Sequence, residues 1–193
     1  MLFTEKLKNK NLILASKSPR RQQLLKELNI PFSIEIKEVE ENYSKLLKKK
    51  EITEYLAKLK ATAFNNLKEN DVLITADTIV WFKGKPLEKP KNLKDAKEML
   101  QKLSGKKHRV ITSVCLKSAT KQKVFTDITK VYFKTLTNQE ITYYVDKYQP
   151  LDKAGSYGVQ EWIGLIAIKK IKGSYYNIVG FPVHKFYKEI LNF

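Results

Sequence analysis

Short apolar segments, separated by polar and turn-forming residues, recur along the whole chain. Their length and their abrupt ends are typical of strands. The segment 31–36 also alternates between apolar and polar residues with the period of two that a half-buried strand requires. Segments 110–116 and 124–133 follow each other closely, and we expect them to form an antiparallel pair. We predict strands at 12–15, 31–36, 72–82, 110–116, 124–133 and 164–172.

Apolar residues recur at helical spacing between these segments. Thr137 followed by Glu140 predicts a capping box at the start of one helix. Ser104 and Gly105 should end another helix, and Pro182 is placed to begin the last one. We predict helices at 19–28, 51–69, 93–103, 137–148 and 181–191, and a loop at 173–177.

The start of the first of these helices has the features of an anion site. Ser18 is typical of a helix N-cap, and Pro19 fits the first helical position because its missing N–H is not needed there. Arg20 and Arg21 then lie in the first turn, where the positive end of the helix dipole disfavours cations. An anion would compensate, bound by backbone N–H groups, the Ser16 hydroxyl and two guanidinium groups. We favour this site over the alternative, a solvated basic helix start.

Composition sharpens this hypothesis. Among 37 basic residues only Arg20, Arg21 and Arg109 are arginine, and the planar fork of arginine suits a phosphate better than the ammonium of lysine. The formal net charge of +17 is compatible with nucleic acid, an acidic membrane surface or small anionic substrates. The lysines, however, are spread along the chain, and no aromatic residues are interleaved with the run 48–50. We therefore do not expect nucleic acid to be the partner.

Length and cysteine content limit the class of protein. A chain of 193 residues fits one domain, or two small lobes that share a cleft. No apolar run reaches the roughly 20 residues that cross a bilayer, and no signal peptide is recognisable, so we expect a cytoplasmic protein without a membrane partner. Cys115, the single cysteine, lies in an apolar segment, where we expect it to be buried and inert in a reducing compartment. One cysteine and two histidines are too few for a Cys/His metal cluster.

Ionisable residues interrupt three patterns. Asp77 lies in the apolar segment 72–82, and a buried carboxylate needs a partner. It is either a turn or bulge residue that bonds to local backbone, or a carboxylate at a strand end, facing a cleft, available as a metal ligand or general base. Lys60 lies within the apolar arc of helix 51–69, where it either extends to the helix edge or meets a buried anion. The acidic residues 38–41 form either a polar loop or a source of a divalent-metal ligand.

Six stretches, taken in order, resemble the Maf family of nucleotide pyrophosphatases over nearly the full length of the chain. Each stretch alone is weak evidence, but six in the same order are specific. The last one has Phe181 where the family usually has leucine, a small apolar departure. The stretches are LASKSPRR at 14–21, ADT at 76–78, EKP at 88–90, LSG at 103–105 with His108 and Thr112, DKAGSYGVQ at 152–160, and GSY at 173–175 with GFP at 180–182.

The resemblance implies an α/β fold related to the inosine-triphosphate pyrophosphatases. In that fold a long, bent mixed sheet with flanking helices forms two lobes around a deep cleft, here as a single domain over 1–193. The resemblance also implies a hydrolase that converts dTTP or UTP, or modified pyrimidine nucleotides, to the monophosphate and pyrophosphate with Mg²⁺ or Mn²⁺. A homodimer is what the family suggests. The family's link to septum formation leaves one alternative open, a partner-binding regulator.

Individual roles follow from the same resemblance. Asp77 matches the family's proton acceptor and would also bind the metal. The positions that distinguish the branch acting on dTTP and UTP are matched by Arg20, Thr78 and Gln160. Phosphate-binding lysines are matched by Lys60 and Lys89, and a carboxylate near the metal by Glu41, with Glu40 adjacent. Ser16 and Arg21 complete the expected substrate site, and Gly155 and Gly158 would let the backbone approach the ligand.

Overall fold

The computed structural model describes residues 3–193, and strands and helices alternate along this part of the chain. None of these helices is long and apolar enough to cross a membrane. The strands are β1 (Asn11–Leu14), β2 (Ser33–Ile34), β3 (Asp71–Phe82), β4 (Lys85–Leu87), β5 (Lys107–Lys117), β6 (Gln122–Phe133) and β7 (Ile168–Lys172). The helices are α1 (Phe3–Lys6), α2 (Pro19–Glu27), α3 (Lys50–Thr62), α4 (Leu93–Leu103), α5 (Asn138–Tyr148), α6 (Trp162–Ala167), α7 (Tyr175–Val179) and α8 (Val183–Leu191), with a short 3₁₀ turn at Ala154–Ser156.

The strands of the described residues form one mixed sheet in the order β2-β1-β3-β5-β6-β7, and β4 pairs with β3. β1 runs parallel to both β2 and β3, whereas the pairs β3–β4 and β6–β7 are antiparallel. β5 and β6 also run antiparallel: the Ser118 N–H bonds to the Lys121 carbonyl, and the Phe133 N–H bonds to the Lys106 carbonyl. The α/β class, the mixed sheet with flanking helices and the antiparallel pair are thus confirmed.

The chain divides into two compact units, and each is described by itself. Unit 1 consists of the described residues up to Asp77 together with Thr112–Asp127 and Gly180–Phe193. Burial raises the pKa of the Cys115 thiol to about 11, so this cysteine is an inert part of the core, as the sequence predicts. It belongs to a cluster of buried residues from β1, α3, the turn after α3, and β3: Ile13, Ala57, Ala61, Phe64 and Leu73.

Unit 2 consists of Thr78–Ile111 and Ile128–Val179. The apolar faces of α4 and α5 pack against each other, and α4 also packs on the 3₁₀ turn. Leu100, Leu103 and Tyr144 are fully buried in the core of this unit. Full burial of an aliphatic side chain such as leucine contributes about 1.5–3 kcal/mol. The arrangement of α4 and α5 therefore provides much of the framework on which the loops of unit 2 are held.

Three helix boundaries confirm the local sequence signals. Ser18 caps α2, accepting the Arg21 N–H at 3.5 Å, and Pro19 is the first helical residue. Thr137 and Glu140 form the predicted capping box of α5, in which each side chain accepts the backbone N–H of the other residue. The helix α4 covers the predicted range, and Gly105 follows it with a φ of 66°.

The helix predicted at 51–69 is too long, because α3 ends at Thr62. The Lys117 ammonium donates to the main-chain carbonyls of Ala61 at 3.0 Å and Phe64 at 2.7 Å. In a longer helix these carbonyls would accept bonds from backbone N–H groups four residues later. The Asp71 carboxylate then accepts the Lys68 N–H at 2.8 Å, which stabilises a turn before β3.

The strand predicted at 164–172 is also wrong in its first half, which forms the end of α6. Gly164 lies so close to Val159 that a Cβ atom on it would be 1.9 Å from the Val159 carbonyl oxygen. Its N–H bonds to the Glu161 carbonyl at 2.8 Å, and this bond starts the helical turn.

Two shorter predictions change as well. The strand predicted at 31–36 contracts to β2, because its partner β1 ends at Leu14. The loop predicted at 173–177 contains the start of α7, where the Ser174 hydroxyl accepts the Asn177 N–H.

Candidate active site

The Ser16 hydroxyl lies at the start of α2, where the sequence predicts an anion site. Ser16 is buried, and its Oγ accepts two bonds, from the Ser18 N–H at 3.3 Å and from the Arg21 Nη1 at 3.2 Å. Both bonds use the lone pairs of the oxygen, so the hydroxyl hydrogen remains available to donate. The Ser16 side chain is therefore preset to donate to an anionic ligand.

The Arg21 guanidinium connects separate parts of unit 1. Its Nε donates to the Gly180 carbonyl at 2.9 Å, and its Nη1 donates to the Ala76 carbonyl at 3.0 Å. Burial lowers the pKa of this guanidinium and the nearby Asp77 charge opposes that change, but an arginine remains protonated at neutral pH. Arg21 thus uses several of its N–H donors to hold the main chain around the site. The roles predicted for Arg20 and Arg21 toward a phosphate stay predictions.

Lys60, Asp77 and Glu41 meet in unit 1. The Lys60 Nζ lies 2.8 Å from the Asp77 Oδ1 and 3.0 Å from the Glu41 Oε2. Only 18% of the Lys60 side chain and 11% of the Asp77 side chain are exposed. Of the two alternatives for a lysine on the apolar face of α3, the structure shows the one in which it meets a buried anion.

Asp77 occupies the middle of β3, which continues through it from Asp71 to Phe82. Asp77 therefore lies inside the predicted strand 72–82, and the predicted turn and strand end are both wrong. The Lys60 ammonium holds the Oδ1, but the Oδ2 is buried and has no hydrogen-bond partner among the described residues. A buried polar atom without a partner costs roughly 1–3 kcal/mol. Such a cost is typical of a site that a ligand completes.

The acidic residues 38–41 have two different environments. Glu38 is exposed and pairs with Lys17 at 2.5 Å. Glu41 shares the Lys60 ammonium with Asp77, and no such ion pair involves Glu40 within residues 3–193. Glu41 is therefore the better placed of the two adjacent glutamates for a role beside Asp77.

The carboxylates of Asp77 and Glu41 are the donors available to a metal ion here. No group of three His, Cys, Asp or Glu side chains in the described part of the chain could hold a metal on its own. Mg²⁺ commonly binds one or two carboxylates and takes its other ligands from substrate phosphates and water. Two hard carboxylates, one with an unpaired buried oxygen, fit such an ion.

Three predicted site residues, Thr78, Lys89 and Gln160, belong to unit 2. Thr78 follows Asp77 in β3 and is half-buried. Lys89 is exposed between β4 and α4, and Gln160 is exposed just before α6. In the part of the chain that the structure describes, neither of these two side chains makes a hydrogen bond or ion pair. Both remain accessible to a ligand.

The glycines of segment 152–160 allow close packing within unit 2. Gly155 has a φ of 69°, and a Cβ atom on it would lie 2.8 Å from a Val80 methyl carbon. Its N–H donates to the Glu88 carbonyl at 3.1 Å, next to Lys89. A Cβ atom on Gly158 would lie 2.6 Å from the Glu161 carboxyl carbon. The contacts that require these glycines are therefore internal, and their predicted approach to a ligand stays a prediction.

His108 anchors the same segment through Tyr157. Its Nε2 lies 2.8 Å from the Tyr157 hydroxyl, and its ring packs edge-on against Phe133 and Tyr157 with centroid distances of 5.0 and 5.4 Å. Burial lowers the pKa of His108 to about 3, so the imidazole is neutral at physiological pH. This histidine therefore supports Tyr157 without bringing a charge into the core.

Sequence reasoning missed Tyr144 and Glu161, which hold the residues around Gln160. The Tyr144 hydroxyl donates to the Glu161 carboxylate and accepts the Gly158 N–H at 3.1 Å. A tyrosine on the buried face of helix 137–148 signals that its hydroxyl needs a partner. The pattern does not identify that partner, because it belongs to a separate loop.

A groove of about 480 Å³ in unit 2 contains none of the predicted site residues. Its lining includes Lys169 and Lys170 on β7, the outermost strand of the sheet, and Lys106 and Lys107 at the start of β5. Lysines on an edge strand discourage pairing with strands of other molecules. The charge on β7 is thus explained without a ligand.

The fold is shared with a solved protein of known structure. The match, described as "Structure of a HAM1 protein from Coxiella burnetii", has a TM-score of 0.51 at 14% identity and covers 95% of this chain and all of that one. At that identity the likeness shows the fold alone. Family membership is shown by sequence: the profile of the Maf-like protein family matches residues 11–193, and the chain belongs to this family.

Relatives named dTTP/UTP pyrophosphatase align with nearly the whole chain. That of Christiangramia forsetii is 54% identical over 99% of this chain and all of the relative. That of Flavobacterium psychrophilum is 52% identical over 99% of this chain and 98% of the relative. That of Bacteroides thetaiotaomicron is 50% identical over 93% of this chain and 94% of the relative. The family predicted from the six sequence stretches is confirmed.

Proposed function

We propose that this protein is a pyrophosphatase that hydrolyses dTTP and UTP to the monophosphate and pyrophosphate. Relatives with that name are 54% and 52% identical to it over 99% of its length. The observation that carries the proposal is the Asp77 carboxylate, buried in β3 with one oxygen held by Lys60 and the other without a hydrogen-bond partner in residues 3–193.

Asp77 is the proposed proton acceptor. Hydrolysis to the monophosphate breaks the bond between the α-phosphorus and the oxygen that bridges it to the β-phosphorus. The attacking water loses a proton as it bonds to the phosphorus, and a positioned carboxylate that takes this proton contributes about 10²–10⁴-fold. The Lys60 contact leaves the Oδ2 of Asp77 available for that task.

Cationic residues are assigned to the phosphates. Phosphoryl transfer depends on positioning and on neutralising charge more than on covalent chemistry. The Lys60 ammonium has three N–H donors; it donates one to Asp77 and forms an ion pair with Glu41, and we assign a further donor to a phosphate oxygen. The other donors that we assign to the phosphates are Ser16, Arg20, Arg21 and Lys89.

Asp77 and Glu41 are the residues that we assign to a divalent cation, Mg²⁺ or Mn²⁺. Bound with the substrate's phosphates, this ion would neutralise charge on the leaving pyrophosphate. Lys60 would keep the two carboxylates in place until ion and substrate bind, because it contacts both.

Gln160, with Thr78, is assigned to base selection. Uracil and thymine present an N3–H donor between two carbonyl acceptors, and a glutamine amide can accept the first and donate to the second. Cytosine instead presents an acceptor at N3 and a donor at the neighbouring amine, which reverses this order. The accessibility of the Gln160 side chain supports this assignment. Modified pyrimidine nucleotides with the same edge are included in it.

The cytoplasm is the proposed setting, and a homodimer the proposed assembly. Cys115 is a buried free thiol, which is compatible with a reducing compartment. The homodimer rests on the family resemblance, and sedimentation of the purified protein measures it.

A hydrolysis panel tests the proposed function. UTP, dTTP, CTP, ATP and GTP are each incubated with Mg²⁺ or Mn²⁺, and pyrophosphate and orthophosphate are measured separately. We expect pyrophosphate from UTP and dTTP at higher kcat/KM than from the other three, and no release after the metal is chelated. Orthophosphate as the direct product, a preference for GTP, or no turnover would contradict the proposal, and the last result would favour a partner-binding regulator.

A further inference from the structure

Gln160 lies in a five-residue segment, Tyr157–Glu161, three members of which are held by hydrogen bonds. The Tyr157 hydroxyl bonds to His108, and the Gly158 N–H bonds to the Tyr144 hydroxyl. The Glu161 carboxylate also binds Tyr144. We call this stretch the Gln160 segment. Gln160 itself makes no hydrogen bond among the described residues, so its orientation depends on the backbone on either side.

Tyr144 is the residue that contacts both sides of Gln160. Its side chain is fully buried on α5 and stacks on Tyr148 at a centroid distance of 5.1 Å. Its hydroxyl accepts from Gly158, two residues before Gln160, and donates to Glu161, one residue after it. Burial, together with the Glu161 charge, raises the pKa of Tyr144, so the hydroxyl keeps the proton that it donates.

An ion pair and the lack of a side chain at Gly158 stabilise the contact between Tyr144 and Glu161. The Lys153 ammonium lies 3.1 Å from the second oxygen of the Glu161 carboxylate, and only 11% of the Lys153 side chain is exposed. The absence of a side chain at Gly158 lets the Glu161 carboxylate lie where it does, since a Cβ atom would be 2.6 Å from its carbon. The Glu161 carboxylate is therefore held by Tyr144 and Lys153 together.

We propose that Tyr144 is a positioning residue for base selection. Its hydroxyl holds Gly158 and Glu161 on either side of Gln160, and so sets the backbone position from which the Gln160 amide reaches the base. The inference rests on the proposed function, because it concerns how that function distinguishes pyrimidines. Tyr144 is not assigned any contact with the substrate.

The physical reason is the symmetry of the glutamine amide. A free amide can rotate to present its donor and acceptor in either order, and would then serve UTP and CTP about equally. Discrimination requires that one order be favoured before the base arrives. Without the Tyr144 hydroxyl, the Gly158 N–H and the Glu161 carboxylate each lose a buried partner, and the segment is free to rearrange.

The substitution Tyr144→Phe removes only the hydroxyl and keeps the stacked ring. We expect the UTP-to-CTP ratio of kcat/KM to fall about tenfold, because a site that loses a defined hydrogen-bonding order loses discrimination. The kcat for CTP should stay within about threefold of the wild-type value. Tyr148→Phe is the matched control, because it removes a hydroxyl from the neighbouring ring of the same stack and leaves the Gln160 segment's bonds in place.

A double variant separates positioning from general damage. In the Gln160→Leu background, Tyr144→Phe should leave the UTP-to-CTP ratio unchanged, since there is no amide left to orient. A further drop in that background would overturn the inference, as would an unchanged ratio in Tyr144→Phe alone. Glu161→Ala, which removes the acceptor of the Tyr144 hydroxyl and the partner of Lys153, gives the same readout if Tyr144→Phe does not fold, and we expect it to lower the ratio too.

Amide hydrogen exchange gives a readout that needs no turnover. In Tyr144→Phe the Gly158 amide should exchange at least tenfold faster than in the wild type and in Tyr148→Phe. Unchanged exchange overturns the inference even if the enzyme selects pyrimidines. If exchange is faster but the protein hydrolyses no nucleotide, Tyr144 does hold the Gln160 segment and the proposed function is refuted instead.

Discussion

In unit 1, Asp77 and Lys60 bond to each other directly, whereas in unit 2 the Gln160 side chain makes no hydrogen bond to any described residue and only its neighbours are held. The groups in unit 1 are charged and share one ammonium between two carboxylates. The groups that hold the Gln160 segment are a neutral histidine, two tyrosine hydroxyls and one carboxylate that pairs with Lys153.

The difference fits two different tasks. Charged groups that pair with each other can exchange those partners for a phosphate or a cation when the ligand binds. The Oδ2 of Asp77, which has no partner among the described residues, can accept a bond from a ligand without losing one. A residue that distinguishes bases by hydrogen bonds must instead keep its own donors and acceptors unused and oriented. Substitutions in unit 1 should therefore reduce turnover of every nucleotide, and substitutions around Gln160 should change the ratio between nucleotides.

The largest effect is expected from Asp77→Asn. Asparagine keeps the shape but cannot accept the proton, and it is a weak metal ligand, so kcat should fall by about 10²–10⁴-fold for every nucleotide. The measurement is pyrophosphate release by purified protein whose circular dichroism matches the wild type. A variant that retains more than about a tenth of the activity would show that Asp77 is not the base.

The second-largest loss of activity is expected from Arg20→Lys. A lysine cannot reproduce the bidentate contact of a guanidinium with a phosphate, and the loss of about 1.5–3 kcal/mol corresponds to roughly 10- to 150-fold in kcat/KM for UTP and CTP alike. Arg109→Lys, on β5 in unit 2, is the matched control, and it should leave kcat/KM unchanged. Equal activity of the two variants would restore the alternative of a solvated basic helix start.

Gln160→Leu should have a smaller and selective effect. The leucine fills a similar volume without donors or acceptors, so the UTP-to-CTP ratio of kcat/KM should fall about tenfold or more while the phosphate contacts persist. Measuring kcat/KM for each of the five nucleotides gives both the UTP-to-CTP ratio and the activity that remains on every nucleotide. If all nucleotides lose activity equally, the contrast between the two units is wrong.

The smallest effect concerns His108 and the pH dependence of stability. The pKa of His108 is about 3 in the folded protein and about 6.5 in an unfolded chain. Between these values the unfolded state binds the proton and the folded state does not. The free energy of unfolding should therefore fall as pH drops from 6.5 toward 3, by at most about 1.4 kcal/mol per pH unit from this group.

Chemical denaturation at pH 7, 6 and 5 measures that slope. His108→Gln should be less stable at pH 7 but should lose stability less steeply on acidification than the wild type. His184→Gln is the control, because His184 is exposed on α8, and its slope should match the wild type. Identical slopes in all three proteins would mean that the His108 ring does not stay neutral in the fold.

The elements that the sequence predicts well are those whose signals are local. Ser18 and Pro19 mark the start of α2, and the capping box of Thr137 marks that of α5. The end of α3 could not be predicted, because it is set by Lys117, a residue 56 positions from the Ala61 carbonyl that it binds. The helix α6 was missed because it depends on the approach of Gly164 to Val159, a packing contact that no periodicity encodes.

The candidate site divides in the same way. Lys60 and Asp77 are recognisable because each places a charge within an apolar pattern, and the structure brings them together. The predicted strand 72–82 contains Asp77, but the sequence left open whether TADT forms a turn, because an apolar run interrupted by these residues fits both. Tyr144 was missed because a buried tyrosine is common in helices and the partners of its hydroxyl are 14 and 17 residues away.

The Arg21 contacts also bear on how the chain folds during synthesis. Unit 1 is assembled from three separate stretches, and the last, Gly180–Phe193, leaves the ribosome after all of unit 2. Until then the Arg21 Nε lacks the Gly180 carbonyl, and the ammonium groups of Lys10 and Lys121 lack the main-chain oxygen of Phe193. A nascent chain can therefore complete unit 2, whose residues are contiguous but for one insertion, while unit 1 waits for α8. The unit that carries Asp77 can complete its hydrogen bonds to Gly180 and Phe193 only after α8 has been synthesised.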